Sequence, residues 1–116
     1  MAEKLTGVAK RLRDELIGAA TRRTLRLTYG EFGDLVDVSP ALYVRFLDAI
    51  AAHERDNGKP DVTYILVNKD FRYPSQIGGK LAKPPSPAQK KLAREEMQKV
   101  INAYCEGAEN PYPAIP

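Results

Sequence analysis

The 116-residue sequence predicts a helix-rich α+β single domain with one β-hairpin and a C-terminal helix. Three observations carry this expectation. Apolar residues recur every three or four positions near both ends of the chain, the spacing of one buried helical face. Val62-Thr63-Tyr64-Ile65-Leu66-Val67 is an unbroken β-branched and aromatic run, the composition of a strand buried on both sides. Ser39-Pro40 and Ser86-Pro87 each place a capping hydroxyl before a proline suited to a first helical turn.

In chain order, Leu5, Val8, Leu12, Leu16 and Ala19 form the apolar stripe of a first helix ending near Thr21. Arg22 to Leu27 alternates as a short strand or extended linker would. Thr28-Tyr29-Gly30-Glu31 has the spacing of a capping box, and Leu27 and Phe32 are placed for a hydrophobic staple. A short helix through Leu35 and Val36 should begin there. Ser39-Pro40 opens a longer helix facing inward through Tyr43, Phe46, Leu47, Ile50 and Ala51, stopped at Asn57-Gly58-Lys59-Pro60. Val62–Val67 is expected to be the central strand, returning through an Asn68-Lys69-Asp70 turn as Phe71-Arg72-Tyr73 until Pro74. Residues 75–87 are rich in Gly, Pro and Lys, an exposed loop. A final helix opens at Ser86-Pro87, carries Leu92, Met97, Val100, Ile101 and Tyr104 on one face, and ends at Gly107. Residues 1–109 thus make the domain, and 110–116, with three prolines, an extended tail.

Hydrophobic residues at 43% and charged residues at 28% suit one globular core. One cysteine, Cys105, and one histidine, His53, provide neither a disulfide nor three or four convergent metal ligands. No metal, cofactor or catalytic residue is therefore expected. The charged N-terminus has no apolar run like a signal peptide, and no stretch is long and apolar enough to span a bilayer, so a cytoplasmic protein without a membrane partner is expected. Net charge is +3, unevenly spread: residues 1–29 hold seven basic against three acidic residues, residues 30–60 three against six.

The order of helix, short capped helix, tight turn, longer helix and hairpin resembles a winged helix. At Thr28-Tyr29-Gly30-Glu31-Phe32 it resembles the winged-helix part of alkylguanine-DNA alkyltransferases and alkyltransferase-like proteins, whose helix-turn-helix opens on a similar Thr-Tyr-Gly-acidic motif. The resemblance covers Leu27 to Gly79 and implies a winged-helix-like, DNA-binding fold. The family's Pro-Cys-His-Arg nucleophile site has no counterpart here; Asp61–Val67 stands in its place, so no alkyl transfer is implied. Tyr29-Gly30-Glu31 combined with Ile65-Leu66-Val67-Asn68-Lys69 also resembles a set of small uncharacterised bacterial proteins, which implies no activity.

The remaining constellations have ordinary readings. His53 reads as a surface histidine near a helix end, without a nucleophile to serve. Cys105 reads as a small packed hydrophobe. Glu95-Glu96 and Asp34 with Asp37 read as solvated faces. Ile77-Gly78-Gly79-Lys80 lacks the remaining glycine and Ser/Thr of a P-loop, and Pro84-Pro85-Ser86-Pro87 is a loop leading into a helix rather than a polyproline ligand. Two basic groups carry the expectation of double-stranded DNA as partner: Arg22, Arg23 and Arg26 on one side, Lys69, Arg72, Lys80 and Lys83 with Phe71 and Tyr73 on the other. On the longer helix, Tyr43 and Arg45 are the candidate base readers. Asp37, Asp48, Glu54 and Asp56 would repel phosphate there. The alternative is therefore a small inhibitor or adaptor docking its acidic 30–60 face on a basic protein.

Overall fold

The computed structural model describes residues 7–77 and 83–114. Its helices are α1 (Gly7–Thr21), α2 (Tyr29–Val36), α3 (Pro40–Tyr43), α4 (Leu47–Asp56) and α5 (Pro87–Tyr104). The strands are β1 (Leu27–Thr28) and β2 (Leu66–Val67). The fold is thus a helix-rich α+β domain with a small two-stranded sheet and a C-terminal helix.

Local chemistry sets most boundaries as the sequence implies. The Thr28 hydroxyl accepts from the Glu31 amide at 3.1 Å and the Glu31 carboxylate from the Thr28 amide at 2.9 Å, a complete capping box on α2. The Thr28 amide first, and the Thr28 hydroxyl second, hold the Glu31 carboxyl below its ordinary pKa. Ser86 and Gln89 build the same box on α5, with Pro87 in its first turn. Asp37 ends α2 in the left-handed region at φ 57°, and the Val38 amide donates back to the Gly33 carbonyl. Gly33 is required at this corner because a Cβ there would meet the Val38 oxygen at 2.9 Å and Pro40 Cδ at 3.2 Å. The missing side chain lets α2 and α3 approach.

The second helix of that pair departs from the expected single rod. Pro40–Asp56 is continuous but divided, a 3-10 turn at Val44–Phe46 separating α3 from α4, and Ser39 supplies no side-chain cap. Of the expected inward face, Tyr43, Leu47 and Ile50 are buried, while Phe46 and Ala51 are half-buried.

Val62–Val67 is not a central strand. Val62–Ile65 form a 3-10 turn because the Asp61 carboxylate accepts from both the Thr63 amide, at 2.9 Å, and the Thr63 hydroxyl, at 2.6 Å. A capped turn satisfies the backbone locally, so these four residues need no sheet neighbours. All six residues are nonetheless buried, and α1, α4 and α5 enclose the four that form the turn. The expected hairpin is also replaced. Only Leu66 and Val67 are extended, and they pair in parallel with Leu27 and Thr28. The return reduces to one antiparallel bridge, Val67 to Pro74. Asn68 causes this by folding the turn on itself: its side-chain oxygen accepts from the Asp70 and Phe71 amides, and Arg72 adopts φ 57°.

The core gathers Leu12, Leu16, Phe32, Tyr43, Ile50, Ile65, Leu66, Met97 and Ile101. On α1 and α5 the buried face lies one residue from two expected members: Ala9 and Ala93 are buried, while Val8 and Leu92 are exposed. α5 ends at Tyr104 with Cys105 as its cap, short of Gly107. The tail is not free along its whole length. Tyr112 is 1% exposed, its carbonyl accepts a hydrogen bond from Arg94, and the Asn110 amide donates to the Arg94 carbonyl at 3.0 Å. Its single aromatic ring completes the core beside α5.

Candidate nucleic-acid interface

The basic residues gather around Tyr112, which the last residues of the chain seat against Arg94 of α5. Arg26 precedes β1, and its guanidinium lies 5.6 Å from the centre of the Tyr112 ring. The Val67–Pro74 bridge brings Tyr73 back, where its ring stacks on Tyr112 at 4.8 Å and 31°. Lys90, in the first turn of α5, sits 6.0 Å from the Tyr73 ring. Burial pushes the Tyr112 phenol pKa upward, and the Arg26 and Arg72 guanidiniums oppose that shift. Four cations, Arg26, Arg72, Lys90 and Arg94, therefore surround one stacked tyrosine pair. The Tyr112 hydroxyl is buried without a hydrogen-bond partner, one of two such side-chain groups among the described residues.

The expected contact residues divide against this frame. Arg26 and Arg72 come together. Arg23, exposed at φ 65°, lies near the C-terminal end of α5, where it opposes the upward, burial-driven shift of the Cys105 thiol. Arg22 is exposed and folds back over Gly18 on α1. Lys69 is exposed on the Asn68 turn, and Lys80 falls outside the described residues, as do Gly78 and Gly79. Arg45 is exposed, but its guanidinium lies over the neighbouring Phe46 ring at 5.2 Å.

Tyr43 is a correction. It is fully buried, packed edge-on to Phe32 at 5.3 Å, and its hydroxyl donates to the Tyr29 carbonyl at 2.5 Å. Serving as a core residue that ties α3 to the start of α2, it has no surface to present to a base. Glu54 is a second correction, because it is wholly buried rather than part of an exposed acidic face. Arg13 from α1 donates to both its oxygens, the longer bond being 3.3 Å. That hydrogen bond is the first cause of a raised Arg13 pKa. His53 is likewise not a free surface residue: its Nδ1 is buried, without a hydrogen bond, 3.6 Å from the Glu54 carboxylate.

Lys90, Arg94 and Tyr112 belong to the cluster but not to the residues anticipated from sequence. Tyr112 had one signal, a lone aromatic among prolines. Among the described residues no group of three His, Cys, Asp or Glu side chains is arranged to hold a metal, and no helix is long and apolar enough to cross a membrane. No family model, curated protein or solved structure matches the chain.

Proposed function

We propose that this chain is a non-catalytic, DNA-binding protein of winged-helix-like type with a regulatory role in the cytoplasm, and that double-stranded DNA lies across the Arg26, Arg72 and Lys90 face. The observation that carries the reading is the convergence of these cations, from three separate parts of the chain, around Tyr73 and Tyr112. Such a surface meets phosphates and supplies affinity without reading bases. Arg22, Arg23 and Lys69, exposed elsewhere, are the further candidate phosphate contacts, and exposed Arg45 is the residue left to reach a base edge.

Fluorescence anisotropy with labelled random duplexes at two salt concentrations tests the proposal. Binding should weaken steeply with salt, and Arg26→Ala/Arg72→Ala should reduce the logarithmic salt slope by about two, roughly one per phosphate contact, on every sequence alike. Absence of wild-type binding at low salt, or wild-type behaviour of the folded double variant, refutes it.

A second reading has its own observation. Leu35, Leu42 and Val44 are 48%, 56% and 45% exposed in the helices that also expose Asp34, Asp37 and Asp48. Apolar side chains within an acidic segment suit a basic, amphipathic protein partner. A pull-down of a basic protein that Asp48→Lys and Leu42→Ala each weaken, while duplex DNA does not compete, would favour it.

A further inference from the structure

On α4 and α5, in a different part of the chain from Tyr73 and Tyr112, lies a cleft of about 760 Å³. Its walls are the end of α4, the Gly58–Asp61 loop, Tyr64 and the second half of α5, with Arg55, Lys59, Asp61, Glu96, Lys99 and Asn102 among the lining residues. Its size is that of a small-molecule site.

The charges in this cleft are of both signs and only partly paired with one another. Lys99 is held by Glu96 at 2.9 Å, and this hydrogen bond raises its pKa. Arg55 and Lys59 have no carboxylate within 4.0 Å among the described residues. Asp61 directs Oδ1 at Thr63, through both the amide and the hydroxyl, and its other oxygen makes no hydrogen bond among those residues. Burial raises the Asp61 pKa despite the two Thr63 bonds, and Glu96 and Glu54 add to the rise. A positive group entering the cleft would relieve that cost, whereas an anion alone would meet it unrelieved.

We propose that this cleft binds a small zwitterion of the amino-acid class, its carboxylate toward Arg55 and Lys59 and its ammonium toward Asp61. The lining matches both ends of such a molecule: two free cations for the carboxylate, one carboxylate oxygen for the ammonium, and Tyr64 and Ala103 beside them for an apolar side chain. The assignment is independent of the nucleic-acid reading, since it uses none of the same residues.

The 15N-labelled 116-residue chain would be titrated with each of the twenty amino acids and followed by amide chemical shifts. At least one should give saturable shifts centred on Gly58, Lys59, Asp61 and Asn102. Its N-acetyl derivative and its carboxamide should each bind about tenfold more weakly or worse, the weight of one hydrogen bond to a charged group. Arg55→Ala/Lys59→Ala and Asp61→Asn should each produce the same loss, Asn being able to keep the Oδ1 bonds to Thr63 and so the local fold. The assignment is overturned if no amino acid saturates, if either capped derivative binds as well as the free one, if the shifts centre on Tyr73 and Tyr112, or if the variants, folded by their spectra, bind like wild type.

Discussion

Arg13→Leu should cost more stability than almost any other single change at a partly exposed position. The Arg13 side chain is 17% exposed, but the carboxylate it serves is 0% exposed and accepts its described hydrogen bonds from Arg13 alone. Removing one partner of a buried pair leaves the other charge desolvated and unanswered, at about 3–5 kcal/mol. For a domain of this size each kcal/mol moves the melting temperature by roughly 3–6 °C, so the variant should melt about 10–25 °C lower. Thermal unfolding followed by circular dichroism reads the loss directly. Arg13→Leu/Glu54→Leu should recover most of it, since an apolar pair of similar volume often replaces a buried ion pair at little cost. A single variant melting within about 3 °C of wild type, or a double variant no better than the single, would refute the reasoning.

Leu66→Asp, at a position with 0% exposure between the sheet and the helices, should destabilise by several kcal/mol, and denaturant melts with an unchanged midpoint would contradict its place in the core. Gly33→Ala should cost about 1–3 kcal/mol, because the atoms a Cβ would meet at 2.9 and 3.2 Å belong to the backbone of Val38 and the ring of Pro40; an unchanged melting temperature would show that the corner can open freely. Asp61 carries a carboxyl pKa raised above the ordinary 3.8, chiefly by burial. Its ionised form is thus less welcome in the folded than in the unfolded chain, so its contribution should grow as pH falls through the folded value toward the unfolded one. Stability measured across the acid range should show a shallower acid-side gain in Asp61→Asn than in wild type, and identical profiles would contradict the assignment.

The helix starts were legible where their chemistry is local: Thr28 with Glu31, and Ser86 with Pro87, need only residues at most three apart, though Ser39 with Pro40 starts its helix without a side-chain cap. The β-branched run at 62–67 was legible as buried but not as helical. Composition reports how well side chains fit a dry interior, and it is silent on the Asp61 carboxylate that curls the first four residues into a turn. Asn68 did the same to the hairpin, where a self-satisfied turn displaced strand pairing and a parallel partner arrived from 39 positions upstream. At the candidate interface the basic residues flanking the strands were recognisable, since their charge is visible wherever they fall. Lys90, Arg94 and Tyr112 were not, because their membership depends on how α5 and the tail dock. Periodicity did put Tyr43 on the inner face, and its hydroxyl alone suggested a base reader, because the sequence does not show that the Tyr29 carbonyl waits for it; Glu54 was misplaced for the same reason, its partner Arg13 lying 41 positions away.

The seat of Tyr112 beside α5 also bears on how the protein is made. A ribosome releases the chain from the N-terminus, so α1, the sheet and α4 emerge well before the ring that stacks on Tyr73 and caps the buried end of the interior. Until the segment through residue 112 clears the exit tunnel, Tyr73 and the apolar face of α5 lack their cover. Nascent chains arrested short of that point should therefore be more readily cleaved by protease than chains extended past it.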